Sequence, residues 1–312
     1  MKEFLKHITY GLSQKPKKLA SLYLYDQKGS QLFQQIMKLP SYYLPSAELN
    51  IIQNKSDEIA KEISKTNPDL QIVGLGAGDG SKTKFLLKSF QKYFQNLEFV
   101  ALDISDSVLK ENREEIESEV PEMNYHNIAG NYFETFKQVE NSIGRLVLFL
   151  GANIGNYTFE ESVSFLKFIH SNLKPNDFAL ISFDLVKNPR RILAAYDDDQ
   201  GITKAFNINL LKRMNHELGA DFELEKFDHF PYYNPITGIM HSHIISLEKQ
   251  KATIPGAGEF HFEAYEAIHT EISNKYFLKE INELVELCQF NLVQNYYDSN
   301  QEYVFSLLKP KN

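Results

Sequence analysis

The chain has a single cysteine, Cys288, so it can form no internal disulfide and no cysteine-based metal centre. Such sparse thiol usage fits a reducing compartment, and a cytoplasmic location is expected. No stretch approaches the roughly 18 consecutive apolar residues of a membrane span. The segment after Met1 (KEFLKHITYGLSQK) is polar and mixed, unlike a signal peptide. A soluble protein with no membrane partner is therefore expected. Positive charge is in deficit: 33 Lys and Arg against 41 Asp and Glu leave a formal net charge of -8. That balance disfavours a nucleic-acid partner, because phosphate neutralisation needs clustered cations. Lys15, Lys17 and Lys18 form a short basic stretch, and they read as a solvated terminus. Internal repeats and low-complexity linkers are also absent.

What is present is core-forming material. Hydrophobic residues are 43% and aromatics 13% of 312 residues, enough for a large core without covalent staples. From Asp69 the pattern alternates strand and helix. Gln71–Leu75 is an apolar run ending in the glycine loop Gly76–Gly80, and Ser81–Tyr93 continues with helical spacing. Phe99–Leu102 is a second apolar run closed by Asp103, followed by a polar helix over Ser105–Glu119 with Ser105 as its cap. Leu146–Leu150 and Phe178–Phe183 are apolar on both faces, as buried parallel strands are, with helical periodicity over Phe159–Leu173 between them. A helix is expected over Ile281–Cys288. Phe290–Tyr297 and Tyr303–Leu308, joined by the turn Asp298–Asn300, then form an antiparallel hairpin. The fold class is α/β: a Rossmann-like doubly wound sheet ending in an antiparallel hairpin, as in class I methyltransferases. Residues 51–186 plus 276–312 form that domain. Residues 1–50 plus 187–275 break the rhythm and are assigned to a second, substrate-binding or lid module across the carboxyl edge of the sheet.

The loop Gly76-Ala77-Gly78-Asp79-Gly80-Ser81-Lys82-Thr83 carries the chemistry. A P-loop needs Gly-Lys-Ser/Thr in succession, and Ser81 interrupts it. A dinucleotide site wants G-x-G-x-x-G, whereas this loop is G-x-G-x-G. That form suits the methionine and ribose parts of S-adenosylmethionine, which has no pyrophosphate to cradle. Asp103, at the end of the second strand, is placed to accept both ribose hydroxyls, and Lys82 to meet the cofactor's carboxylate. Other clusters are weaker. His241 and His243 share one face of a strand but lack a third ligand, His216-Glu217 has Ala220 where a zincin needs histidine, and Asp197–Asp199 reads as a helix cap. No metal is expected, and no G-x-S-x-G elbow points to hydrolysis.

Several unusual strings then resemble one family over nearly the whole chain, the S-adenosylmethionine-dependent histidine Nα-methyltransferases of ergothioneine biosynthesis. They include Tyr25-Asp26 with Gly29-Ser30, Tyr42-Tyr43 with Glu48, Leu102–Ser105, Ile154–Asn156, Ala195–Asp198, Asn215–Phe222 and Thr270–Ser273 with Lys275. The resemblance implies that Tyr25, Gly76, Lys82, Asp103, Asn131 and Tyr132 hold the cofactor. It also implies that Tyr42, Asn156 and Tyr196 grip the amino acid's amino and carboxylate ends, with Glu271 and Ser273 reading the imidazole. Four positions depart from the family pattern: Gly74 replaces a Glu, Asn131-Tyr132 replaces Asp-Phe, and Ser242 replaces a Met beside the imidazole. The implied partner is a small amino acid, the expected product is trimethylated histidine, and a monomer is expected. The alternatives are an N-methyltransferase for another amino acid or amine, favoured by Ser242, and a non-catalytic homologue, favoured by Gly74 and Asn131. No catalytic base is assigned.

Overall fold

The computed structural model describes residues 2–140 and 143–311. The chain divides into two compact units, one made of residues 44–186 and 275–312, the other of residues 1–43 and 187–274. Residues 44–50, which sequence reasoning grouped with the first segment, start the long helix Leu44–Ser64 and fall to the sheet-bearing unit.

That unit is built on seven strands: β1 (Leu70–Leu75), β2 (Leu97–Asp103), β3 (Asn124–Ala129), β4 (Gly144–Phe149), β5 (Phe178–Asp184), β6 (Phe290–Tyr297) and β7 (Tyr303–Pro310). Their spatial order is β6-β7-β5-β4-β1-β2-β3. The first five are parallel, and β7 inserts antiparallel between β5 and β6. This is the doubly wound sheet with a terminal hairpin. All six residues of β1 are buried because β2 and β4 flank it and helices cover both faces, which is why it reads as an unbroken apolar run. The strand order reverses at β1 and β4, so the loops after those two strands border the crevice where such sheets bind ligands. Val73, Val147, Phe149, Phe165, Ile181 and Val304 lie in one continuous core cluster. Ser105 caps the helix Asp106–Glu119, accepting from Val108 N at 3.4 Å, and a Thr158–Glu161 capping box opens the helix Phe159–Ser171. The edge strand β3 has a single buried residue, Tyr125, and no apolar run to announce it.

The second unit is organised differently. Strands Phe227–Asn234, Ile239–Ser246 and Ala267–Asn274 form an antiparallel meander, and Lys17–Lys18 pairs in parallel on its edge. Lys17 of the basic stretch is buried and paired with Glu266 at 2.5 Å, so it is a structural cation and not part of a solvated terminus. A separate hairpin joins Gln250–Ile254 to Gly258–Phe262. Helices Lys2–Ser13, Gln27–Ile36 and Ile202–Leu218 pack their apolar faces into one cluster with Phe227, Ile244, Phe262 and Ile268. Asp198 does cap a helix: its two oxygens accept Ile202 N (2.9 Å) and Thr203 N (2.7 Å). Among the described residues no helix is long and apolar enough to cross a membrane.

One face of the meander carries a histidine stack. The rings of His241 and His243 lie on Tyr232 at 4.8 and 5.6 Å, and His269 stands opposite His243 in register. Burial lowers the pKa of all three; it brings His269 to about 4, as it also does His229. These imidazoles are neutral in the folded state, whereas the unfolded chain takes up protons below about pH 6.5. Stability is therefore complete above that pH and lost as pH falls from about 6.5 towards 4. Calorimetry should show a Tm already lowered by roughly 5 °C at about pH 5.5, above the carboxylate range.

Candidate active site

In the sheet-bearing unit the site begins where β1 ends. Gly76 and Gly78 have φ of +65° and +60°, and nothing lies within 4 Å of where a Cβ would stand, so the backbone there turns sharply and stays open to a ligand. Gly80 differs: a Cβ would meet Asn112 at 3.1 Å. Asn112, fully buried on the helix after β2, explains the close approach, since its Nδ2 donates to Gly78 O (2.8 Å) and Ala77 O (3.3 Å). Sequence reasoning missed Asn112, which looks like any polar helix residue. Asp103 closes β2 beside the loop. Its Oδ2 accepts Gly78 N and its Oδ1 accepts Ser105 N, both at 3.1 Å, and each oxygen keeps a further lone pair. The open glycine backbone and this half-buried carboxylate fit the ribose and methionine parts of an adenosyl cofactor.

Gly130 N donates to the main-chain carbonyl of Asp103 at 2.8 Å, which sets Asn131 and Tyr132 just beyond the end of the β2–β3 pairing. Asn131 Oδ1 accepts Phe133 N at 2.9 Å, so one of its two acceptor positions is already used. Tyr132 packs edge-on to Phe149 and Phe165 at 6.2 and 6.0 Å, and its hydroxyl bonds that of Tyr157. The hydroxyl that distinguishes it from the family's Phe is thus satisfied inside the chain. Gly74 is buried, and a Cβ there would stand 3.4 Å from Ala77 Cβ and from Phe99, so Phe99 fills the space a longer side chain would take.

Lys82 is held by Glu48, its Nζ lying 2.5 Å from Oε1. After β4 the chain passes through two left-handed residues, Gly151 (φ +80°) and Ala152 (φ +53°), into the short turn Asn153–Asn156. A left-handed alanine is strained. It is held there because Gly151 N donates to Glu48 Oε2 at 2.7 Å and Ala152 N to Ser182 Oγ at 2.8 Å. Asn156, half-buried, ends that turn.

In the other unit, Tyr25, Tyr42, Tyr196, Ser242, Glu271 and Ser273 gather. Tyr42 and Tyr196 meet edge-to-face at 6.0 Å, and Phe33 links Tyr42 to Tyr25 through contacts of 6.2 and 5.3 Å. Tyr196 OH donates to Ser273 Oγ at 2.9 Å in buried surroundings. Tyr25 keeps 40% of its surface exposed. Its hydroxyl end is nonetheless enclosed. Burial first, then the charge of Glu271 and the neighbouring phenols, raises its pKa well above 10, which makes it a donor and not a base.

A β-bulge arranges the rest. His269 pairs with His243, but Glu271 pairs with Ser242, leaving Thr270 as the extra residue. The shift aligns Glu271 and Ser273 with Ser242 and Met240, the buried positions of the neighbouring strand, instead of with half-buried His241. Thr270 is pinned by its hydroxyl, whose single proton is shared between Asn207 Oδ1 (3.0 Å) and Ser242 O (3.1 Å). His229, also overlooked in the sequence, has Nε2 3.5 Å from Ser242 Oγ.

The model of the histidine-specific, S-adenosylmethionine-dependent methyltransferases matches residues 4–310. The chain is 33% identical over 293 residues to histidine N-alpha-methyltransferase of Mycolicibacterium smegmatis, covering 94% of this chain and 89% of that protein. It is 32% identical over 297 residues to ergothioneine biosynthesis protein 1 of Schizosaccharomyces pombe, covering 91% of this chain and 38% of the longer yeast protein. A 28% match over 197 residues to 4-dimethylallyltryptophan N-methyltransferase of Claviceps fusiformis covers 60% of this chain and 55% of that one.

Asp103→Asn should weaken S-adenosylhomocysteine at least about tenfold by calorimetric titration, because one acceptor oxygen becomes an amide donor facing ribose donors.

Proposed function

The chain belongs to the histidine-specific, S-adenosylmethionine-dependent methyltransferases, and on that premise we propose that it methylates the α-amino nitrogen of L-histidine three times, giving the trimethylated betaine hercynine. The observation that carries the substrate reading is the bulge at Thr270, which lines up a carboxylate and a hydroxyl, Glu271 and Ser273, with Ser242 and Met240 of the neighbouring strand. A carboxylate accepts an imidazole N–H, and a serine hydroxyl serves the second ring nitrogen as donor or acceptor.

Bound S-adenosylmethionine would supply a sulfonium methyl group: at each transfer its S–C bond would break as the neutral amine bonds the methyl carbon in line, with S-adenosylhomocysteine as the leaving group and the proton shed by the ammonium passing to solvent. Asp103, the glycine loop and Asn131 bind the nucleoside portion, and Lys82 meets the carboxylate of the methionine portion. Tyr42, Tyr196 and Asn156 hold the amino acid's amino and carboxylate ends. Tyr25 stays protonated and donates a hydrogen bond. Nothing in such a transfer needs a covalent intermediate, so the residues contribute chiefly by fixing position and orientation. The faces of Tyr42 and Tyr196 suit a nitrogen that becomes permanently cationic, since a quaternary ammonium is attracted to aromatic faces. That affinity supports repeated transfer to the same nitrogen.

A second reading, an N-methyltransferase for another amino acid, is favoured by Ser242 and by the likeness to an enzyme named for a tryptophan derivative. Glu271 separates the two. Glu271→Gln should raise the histidine Kd at least about tenfold, the effect of losing a charge-assisted hydrogen bond, while thermal stability changes little. Unchanged histidine affinity, or a tighter fit for tryptophan than for histidine in wild-type protein, would favour the second reading.

A further inference from the structure

Glu48 is a buried charge outside the residue set assigned to cofactor or substrate. Its side chain is 3% exposed, and both oxygens are engaged. Oε1 receives Lys82 Nζ at 2.5 Å, while Oε2 receives Gly151 N at 2.7 Å and the Tyr303 hydroxyl at 2.9 Å. The Tyr303 oxygen also lies 3.1 Å from Ser182 Oγ, which in turn accepts Ala152 N at 2.8 Å. One carboxylate therefore joins the helix Leu44–Ser64, the glycine loop, the turn after β4 and the strand β7.

A pair of this kind is a poor device for stability. Desolvating two charges costs several kcal/mol, and apolar replacements of equal volume often do as well or better. Its geometry, however, restricts Lys82. The ammonium has three N–H donors and its side chain remains 29% exposed, so the ion pair with Glu48 engages one donor without closing the ammonium off from a ligand. A free lysine would lose considerable side-chain entropy on gripping a ligand; one already tethered loses less. The same carboxylate holds Gly151 in its left-handed conformation, and with it the turn that ends at Asn156.

We propose that Glu48 is a positioning residue that fixes the Lys82 ammonium for the carboxylate of the cofactor's methionine portion and secures the turn carrying Asn156. This rests on the reading of Lys82 as the carboxylate's partner. The test compares two ligands by calorimetric titration: S-adenosylhomocysteine, which has the carboxylate, and 5′-methylthioadenosine, which keeps the nucleoside and sulfur but lacks the amino-acid end. Glu48→Gln should weaken S-adenosylhomocysteine about tenfold and leave methylthioadenosine within about twofold, the difference of one charge-assisted contact. Lys82→Met should show the same selective loss, and the double variant should be no weaker than either single one, because coupled residues are not additive. Equal losses for both ligands would mean a merely structural role and overturn the proposal, as would no loss for S-adenosylhomocysteine. Tyr303→Phe removes one support of Glu48 without disturbing charge. It should give a smaller loss of about threefold with the same selectivity, so it decides the matter even if Glu48→Gln does not fold. If Lys82→Met leaves S-adenosylhomocysteine unaffected, the Lys82 reading fails, whatever Glu48 does.

Discussion

A carboxylate kept almost entirely from water survives only if each oxygen is met by donors, and the Glu48 side chain imposes that condition on the sheet-bearing unit. Its donors come from Lys82 after β1, Gly151 after β4 and Tyr303 on β7, elements far apart in sequence and adjacent only because the sheet order is β7-β5-β4-β1 there. The glycine loop and the turn ending at Asn156 thus share one anchor. Asp103 provides a second, its carboxylate tying the loop to β2 through Gly78, while its main-chain carbonyl accepts Gly130 N just before Asn131. The loops that border the crevice of the parallel sheet are held by side chains specific to this arrangement, so the ligand-facing backbone is fixed before any ligand binds.

How much of this was legible in the sequence depended on whether a feature was local. The buried strands β1, β4 and β5 showed as continuous apolar runs because both faces are covered, and the hairpin of β6 and β7 showed because its turn is short. The strand β3 did not show: it is an edge strand whose alternation is weak, and its pairing with β2 is a tertiary fact. Gly76, Gly78 and Asp103 were readable from spacing. Asn112 was not, because its role is to bond the backbone of a loop 34 residues earlier. Lys17 misled for the same reason, since its partner Glu266 lies 249 residues away.

The amino-acid side depends most on something no residue pattern announces. Strict alternation along Ala267–Asn274 would place Glu271 with the histidine stack on the half-buried face. The single extra residue Thr270 instead aligns it with Ser242. The identities of Glu271 and Ser273 were legible through the family resemblance, while the register that sets them opposite Ser242 and Met240 was not. Ser242 and Asn131 are two of the positions read as departures from the family pattern. In both, the structure gives the polar group a partner: Ser242 Oγ lies 3.5 Å from His229 Nε2, and Asn131 Oδ1 accepts Phe133 N. Substitutions that retain a hydrogen-bonded role inside the fold do not unpair a buried polar group, so they carry no large desolvation penalty.

The central claim concerns where the methyl groups go. Incubation of the protein with L-histidine and S-adenosylmethionine, followed by fragmentation mass spectrometry of the product, addresses it directly. The account predicts a product carrying three methyl groups on the α-nitrogen with an unmodified imidazole ring. Methylation on the ring, or histidine recovered unchanged while another amino acid is methylated, would contradict it.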